Sequence, residues 1–486
     1  MRRRRLILAL FLGILLTGTA IYTVPRFITS APLSNNSSEP RSLSDLVNFT
    51  KIANLKESTF TPLSPDWESA LATLQQYPGT IPVYTEACSK YSCPGGVPIS
   101  LSTTPQTLLP QKPTPTANDH FGYVSAAVGN NILIGIFPYD PNTFLPNAAG
   151  AVQLFDSNGN LLTMFQDPAP DVNDGFGQVI SSYGNNVLIG AYNATFAGIV
   201  GAGAAYLFDS NGNLLKTFHE PTPTANDFFG ASVAGANGNI IVGASSATVG
   251  GLSNAGAAYL FNPNGNLLAT YHEPTPALDA FFGRVISVGG NVLIGAINTT
   301  VSGVIGAGAA YLFDSSGNLL TTYHEPTPAT NDRLKALANV GGNILLSSRA
   351  TVNGLLRAGA AYLFDTSGNL LKTFHEPTPA TNNQFGFSGA SISGNILIGS
   401  PFTMVAGLAQ AGAAYLFDKS GNLLATLQEP NPIALNNFGW SVAGVGVNIL
   451  ATVPVATVRG NSQAGTTYLF DGGGTLLKTL QETIRS

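Results

Sequence analysis

The chain is short of charge. Of its 486 residues only 10% are Asp, Glu, Lys or Arg, where an ordinary soluble domain carries about 25%. The 21 Lys+Arg against 26 Asp+Glu leave a net charge of −5, which argues against the basic surface that nucleic acid selects for. Cysteine is nearly absent, with two residues, Cys88 and Cys93. A zinc site would need two further ligands, and the nearest histidine is distant. No G-x-S-x-G elbow, P-loop or H-E-x-x-H occurs. Apolar runs of spanning length are missing after the first 30 residues. What the chain has instead is 44% hydrophobic residues and 54 glycines. That excludes whole-chain disorder and points to many short strands and tight turns.

The N-terminus stands apart. Arg2–Arg5 form a basic cluster, Leu6–Val24 is uncharged, and Thr17-Gly18-Thr19-Ala20 supplies small residues. Residues 1–25 therefore read either as a signal peptide, cleaved after the small residues, or as an N-terminal membrane anchor using residues 6–24. In both cases the arginines stay cytoplasmic and everything from about residue 30 lies outside, secreted or tethered at the cell surface. In that compartment Cys88 and Cys93, with four residues between them in CSKYSC, are a candidate disulfide. Residues 26–118 read as linker or stalk. Ser64-Pro65-Asp66-Trp67-Glu68 starts a short helix running to Gln76, and residues 107–112 resemble a truncated strand that could close a ring. Residues 1–118 together have net charge +4, against −9 for the remainder, so they join a separate acidic domain.

From residue 119 to 486 the chain repeats itself. A YLF-type motif begins at Gln153, Tyr206, Tyr259, Tyr311, Tyr362, Tyr415 and Tyr468, with spacings of 53, 53, 52, 51, 53 and 53. Each copy holds four strand candidates, which in the third are Gly230–Gly235, Asn239–Ser245, Gly256–Phe261 and Asn266–Glu273. Asn-Gly turns join the last two, a strong hairpin signal because both residues tolerate positive φ. Four antiparallel strands per copy is the unit of a propeller blade. The expected fold is all-β, a seven-bladed β-propeller of four-stranded antiparallel blades. The small residues of the first strand suit the crowded axis, and the Leu-Leu and aromatic positions of strands three and four suit packing between blades.

The residues Phe229-Gly230, Ile241-Val242-Gly243-Ala244 and Gly256–Phe261, with equivalents in the other copies, resemble the FG-GAP repeat of integrin alpha-like propellers. That resemblance covers residues 119–486. It implies a seven-bladed propeller, usually extracellular and used for binding. The family's calcium-binding copies carry an Asp-rich loop between strands one and two. Here that loop reads Ala234–Asn239, Val288–Asn291 or Ser393–Asn395, with no carboxylate, so calcium at those loops is not expected. No cofactor is expected either.

Candidate chemistry is sparse. His219, His272, His324 and His375 recur at one blade position, each in HEPTP, where other copies have Gln166, Gln428 and Gln481, which points to strand-end hydrogen bonding. The following glutamates are expected to accept from amides of the crossover between blades. Asp119, Asp174, Asp227, Asp279 and Asp332, with Asn383 and Asn437, would form a ring near the channel mouth, where a cation could sit. Asp209-Ser-Asn211-Gly212-Asn213 reads as a hairpin turn and not as a calcium loop. Two loops depart from the pattern and form the candidate ligand face. The first copy is aromatic, with Tyr139, Asp140 and Phe144. The fifth is basic, with Arg333, Lys335, Arg349 and Arg357, and has Leu334-Lys335 in place of Phe-Gly. Variable loops on a rigid scaffold are where binding residues concentrate. The expectation is a non-enzymatic binding module for a protein or carbohydrate at the cell surface. The alternatives are a hydrolase or lyase with a site in the funnel, or a purely structural surface protein.

Overall fold

In the third copy the four segments pair in chain order. The inner strand Phe229–Ala236 pairs with Asn239–Ala244, then Ala257–Phe261, then the outer strand Leu267–Tyr271, all antiparallel. A computed structural model describes residues 8–16, 20–28, 116–138, 149–171 and 173–482, and six further sheets repeat this order. The inner strands are Phe121–Val128, Val179–Tyr183, Phe229–Ala236, Phe282–Val288, Lys335–Val340, Ser388–Ile392 and Val442–Val445. Each touches the next around a ring, and the seventh meets the first. By itself, the N-terminal unit shows Leu8–Leu16 paired antiparallel with Ala20–Ile28. Among the described residues no helix is long and apolar enough to cross a membrane. Cys88, Cys93, the helix expected from residue 64 and residues 107–112 lie outside the described residues.

The core lies between blades. Ile241 and Leu260 pack against Val292, Ile294 and Tyr311 of the fourth blade. Ile240, Val242, Tyr259 and Phe261, alternating with them, pack against Leu188, Leu207 and Phe218 of the second. A strand buried on both faces needs a continuous apolar run, which is why Asn239–Ala244 shows no polar alternation. Seven such clusters fill seven interfaces. The last joins Leu450 and Leu469 to Ile132 and Phe155 of the first blade, so the ring closes through the same kind of packing as every other junction. The backbone agrees. Asn118, His120 and Phe121 donate to the carbonyls of Ser462, Gln463 and Ala464, each at 2.9 Å, as Asn226, Phe228 and Phe229 do to Val200, Gly201 and Ala202.

One expectation is corrected. The Leu-Leu pairs opening the outer strands do not pack between blades: Leu267 and Leu268 are 43% and 50% exposed. The outer strand lies at the rim, where no further layer covers it, and only its last residue, Tyr271, is buried. Leu268→Ser should therefore leave unfolding free energy within about 0.5 kcal/mol, whereas Leu260→Ala should lose about 2–5 kcal/mol. Denaturant unfolding of the two variants checks the contrast. The hairpin turns are as expected. Asp209 accepts the amides of Asn211 and Asn213 at 2.9 and 2.8 Å and the Asn213 side-chain amide at 2.7 Å, so its oxygens are used within its own turn.

Candidate functional site

The Phe-Gly motif sets how closely blades approach. Phe229 is fully buried against Tyr259 and Phe261, and Gly230 follows at φ 94°. Its carbonyl oxygen sits 2.0 Å from where a Cβ on Gly190 of the preceding blade would be. Glycine on both sides lets the inner strand lie flush on its neighbour. The residue after Phe-Gly, at or just before each inner strand, is then placed around the axis. These residues are Tyr123, Gln178, Ala231, Arg284, Phe387 and Trp440.

Blade five breaks this rule. Leu334 is buried where phenylalanine stands elsewhere, and Lys335 replaces the glycine without a positive φ. Lys335 pairs directly with Ser347, and the register shift moves to Ala336/Ala338, whereas in blade four the shift falls between Phe282 and Arg284. Relocating that irregularity lets a long side chain leave the strand toward the next blade. The Lys335 amine donates to the Phe387 carbonyl at 2.6 Å and lies 4.8 Å from the centre of the Phe387 ring. Phe387 packs on Trp440 at 4.7 Å, and Trp440 on Tyr123 at 6.0 Å and Phe402 at 6.4 Å. Gln178 donates to the Tyr123 hydroxyl at 3.3 Å. Burial, then the charges of Arg284 and Arg349, hold the Lys335 amine well below the usual lysine range. Burial, then Arg333 and Arg357, act on Arg349 in the same direction.

Of the basic residues singled out in the fifth copy, Lys335 is placed against Phe387 of the next blade, while the charges of Arg333 and Arg357 are felt at Arg349 and those of Arg349 and of Arg284 in the fourth blade at Lys335. Arg284 and the wall of Tyr123, Phe387, Phe402 and Trp440 were missed by the sequence reading. Tyr139, Asp140 and Phe144 lie outside the described residues.

The proposed carboxylate ring resolves into separate junctions. Asp174, Asp227, Asp332, Asn383 and Asn436 are each buried, seven residues after Asp167, Glu220, Glu325, Glu376 and Glu429. The fourth copy has Ala280 there. Asp279 and Asn437 are each one residue off this alignment, in left-handed backbone at φ 58°. The glutamates do not mainly serve crossover amides either. They accept from the next blade's tyrosine: Tyr259 to Glu220, Tyr311 to Glu273 at 2.7 Å, Tyr415 to Glu376 at 2.8 Å and Tyr468 to Glu429 at 2.9 Å. Where the partner position is Asn, its amide donates as well, as Asn436 does to Glu429 at 2.8 Å. Where it is Asp, two acids share the space. Burial first, then Tyr259 and Asp227, set the Glu220 carboxyl, which is pushed up to about 7. Glu325 beside Asp332 goes to about 8, again mainly through burial. Desolvation also lifts Asp174 to about 6.

The recurring histidines sit at strand ends. His219 stacks on Phe196 with ring centres 3.5 Å apart, and His324 Nδ1 lies 3.1 Å from the Glu325 carbonyl. Among the described residues no group of three or more His, Cys, Asp or Glu is placed to hold a metal ion.

Residues 223–261 match the FG-GAP repeat family. No curated protein matches the chain. Among solved structures, BamB from Moraxella catarrhalis is similar at a TM-score of 0.40 and 10% identity, over 77% of this chain and 92% of that one. A protein of unknown function from Bacteroides caccae is similar at a TM-score of 0.36 and 12% identity, over 57% of this chain and 90% of that one. The FG-GAP match spans the inner, second and third strands of blade three, and the six other sheets repeat that blade, so the chain is a seven-bladed β-propeller whose third blade matches the FG-GAP repeat.

Proposed function

We propose that this chain is an extracytoplasmic binding module, not an enzyme, that presents the axial end carrying the strand 2–3 loops to a protein or carbohydrate. One observation carries the reading: the residues that differ from copy to copy, Tyr123, Arg284, Lys335, Phe387 and Trp440, converge at one end of the axis while the frame around them is constant. Residue 1–25 export, by cleavage or anchoring, is part of the same proposal, as is a Cys88–Cys93 disulfide. Affinity capture from the producing cell's envelope and surroundings tests it, with the full chain and its Arg349→Gln variant compared side by side. A ligand retained by the first and lost from the second is expected. Capture of identical ligands by both chains would remove the axial face from consideration.

A second reading, a hydrolase, has one observation in its favour. Glu220 and Asp227 line a depression of about 330 Å³ together with His272. The same acid pairing recurs at Glu325 and Asp332, which fits a packing role in the junction. Turnover of any glycan or peptide that disappears in Glu220→Gln would favour the hydrolase.

A further inference from the structure

Near the end of each strand 2–3 loop, one residue's carbonyl accepts an amide from the crossover into the next blade. Asn226 donates to Val200 at 3.1 Å, Asp279 to Ser253 at 3.1 Å, Asn331 to Ile305 at 3.1 Å, Asn382 to Leu356 at 2.9 Å and Leu435 to Ala409 at 2.9 Å. At three of these junctions the loop residue is a large aliphatic: Val200, Ile305 and Leu356 are 62%, 67% and 64% exposed. At the other two it is small, and the crossover supplies the aliphatic instead. Leu278, next to Asp279, is 62% exposed, and Leu435 is 61% exposed. From the second blade to the seventh, every junction therefore holds one aliphatic side chain out of the surface. The junction of the seventh blade with the first, where Asn118 meets Ser462, has none, and most of the first blade's loop lies outside the described residues.

Single exposed aliphatics are ordinary, but five at matched places with matched exposure are not scatter. Their backbone is pinned as well. Phe196 and Ile199 exchange hydrogen bonds at 3.1 and 2.8 Å just before Val200, and Val301 and Val304 do so at 3.1 and 2.9 Å just before Ile305. Matched positions in successive blades of a ring stand at one height around the axis, so these side chains form an arc in one plane. A protein interface gathers its apolar anchors in a packed centre inside a polar rim. This arc is spread out, with glycine and asparagine between its members. A fluid lipid surface accepts separate side chains that share a plane.

Charge points the same way. Arg333, Arg357 and Arg459 are exposed at this end, and among the described acids here Asp171 alone is exposed. The hairpin aspartates, such as Asp209, Asp314, Asp365 and Asp418, stand at the opposite end, in the turns between strands three and four. Arginine beside apolar tips suits an anionic lipid surface. The chain also enters the propeller at this end, since Asn118 is held on Ser462 at 2.9 Å. It comes there from the apolar run of residues 6–24, which enters a membrane as either signal or anchor.

We propose that the strand 2–3 loop end of the propeller docks on an anionic lipid surface, with Val200, Leu278, Ile305, Leu356 and Leu435 entering the boundary between headgroups and acyl chains and Arg333, Arg357 and Arg459 meeting lipid phosphates. This goes beyond the binding-module reading: a protein or carbohydrate bound at the axis is then one displayed at that surface.

The test is co-sedimentation of the full chain with vesicles of phosphatidylcholine, alone or mixed with phosphatidylglycerol. Binding is expected to be tighter to the mixed vesicles and to weaken with salt. Val200→Ser, Ile305→Ser and Leu356→Ser combined should weaken it by about ten-fold or more while melting as the parent does. Leu215→Ser, Leu268→Ser and Leu320→Ser combined remove three half-exposed leucines from the outer strands and should bind as the parent does. Leu356→Trp adds a reporter at one tip, and lipids brominated in the upper acyl chain should quench its added fluorescence. Attachment through residues 6–24 alone leaves that fluorescence unquenched and overturns the proposal. So does equal binding by the tip and outer-strand variants, or no binding to any vesicle. A tip variant that changes oligomeric state and keeps its vesicle binding assigns the arc to a second copy of the chain and likewise overturns it. In each of these cases the Arg349→Gln capture result still stands, so the two readings fail separately.

Discussion

Gly243→Ala is expected to lower unfolding free energy by more than about 3 kcal/mol, or to prevent folding altogether. Gly243 lies in the second strand of blade three, and a Cβ there would sit 1.8 Å from the carbonyl oxygen of Gly283 and 2.8 Å from its carbon. Both atoms belong to the backbone of the next blade's inner strand, so no side chain can swing away. Relief would need the blades to part, and in a closed ring that displacement passes to the remaining junctions. The backbone of Gly243 is not in the left-handed region, so the effect is one of space alone. Gly190 faces Gly230 in the same way, at 2.0 Å. Blade five provides the control, since Ser347 already stands at the equivalent position and donates to the Gly386 carbonyl at 2.7 Å. Ser347→Gly should lose only about 1 kcal/mol, the value of one hydrogen bond. Thermal and denaturant unfolding read both. An unchanged melting temperature for Gly243→Ala would falsify the account of blade approach.

The second large effect is on pH. The protein should be most stable in mild acid and lose stability as pH rises from about 5 to 8. Glu220 and Glu325 hold their protons to about 7 and about 8 in the folded state, whereas the unfolded carboxyl releases its proton near its ordinary value of about 4.3. Between those limits the folded chain binds more protons than the unfolded one, so stability falls as pH rises. The contribution is complete below the unfolded value and gone above the folded one. A drop of about 5 °C in melting temperature between pH 5 and pH 8 is expected from the junctions together. Asp332→Asn and Asp227→Asn should flatten the slope. Each converts its junction to the form seen with Asn383 and Asn436, where a neutral amide donates to the glutamate and no second carboxyl stands beside it. A slope unchanged in the double variant would place the titration elsewhere.

The repeat made most of the architecture readable. Inner, second, third and outer strands begin and end within a residue or two of where the third copy's pattern places them, because each change of role is marked by glycine or by an Asn-Gly turn. Two features misled. The Leu-Leu pairs look like core, yet only the third dimension shows that the outer strand has nothing beyond it. The acids before strand one look like a ring, yet Asp279 and Asn437 are shifted by one residue, and the left-handed residues beside the buried positions, such as Asn226 and Phe228 around Asp227, cannot be seen from composition. Arg333, Lys335, Arg349 and Arg357 were legible because blade five departs from its siblings. Arg284, Phe387 and Trp440 were not singled out. The signal was there: the residue after Phe-Gly changes from copy to copy inside a constant frame.

By itself, the sequence determined the number of blades, the four strands of each and the turns between them. Those follow from local rules of pattern, glycine and turn chemistry, repeated seven times. Tertiary structure alone decided which faces are buried, how acids pair with the next blade's tyrosines, and that Lys335 of blade five meets Phe387 of blade six, which packs on Trp440 of blade seven. Each of those contacts joins residues about forty positions apart or more, and it exists only once neighbouring blades have packed together.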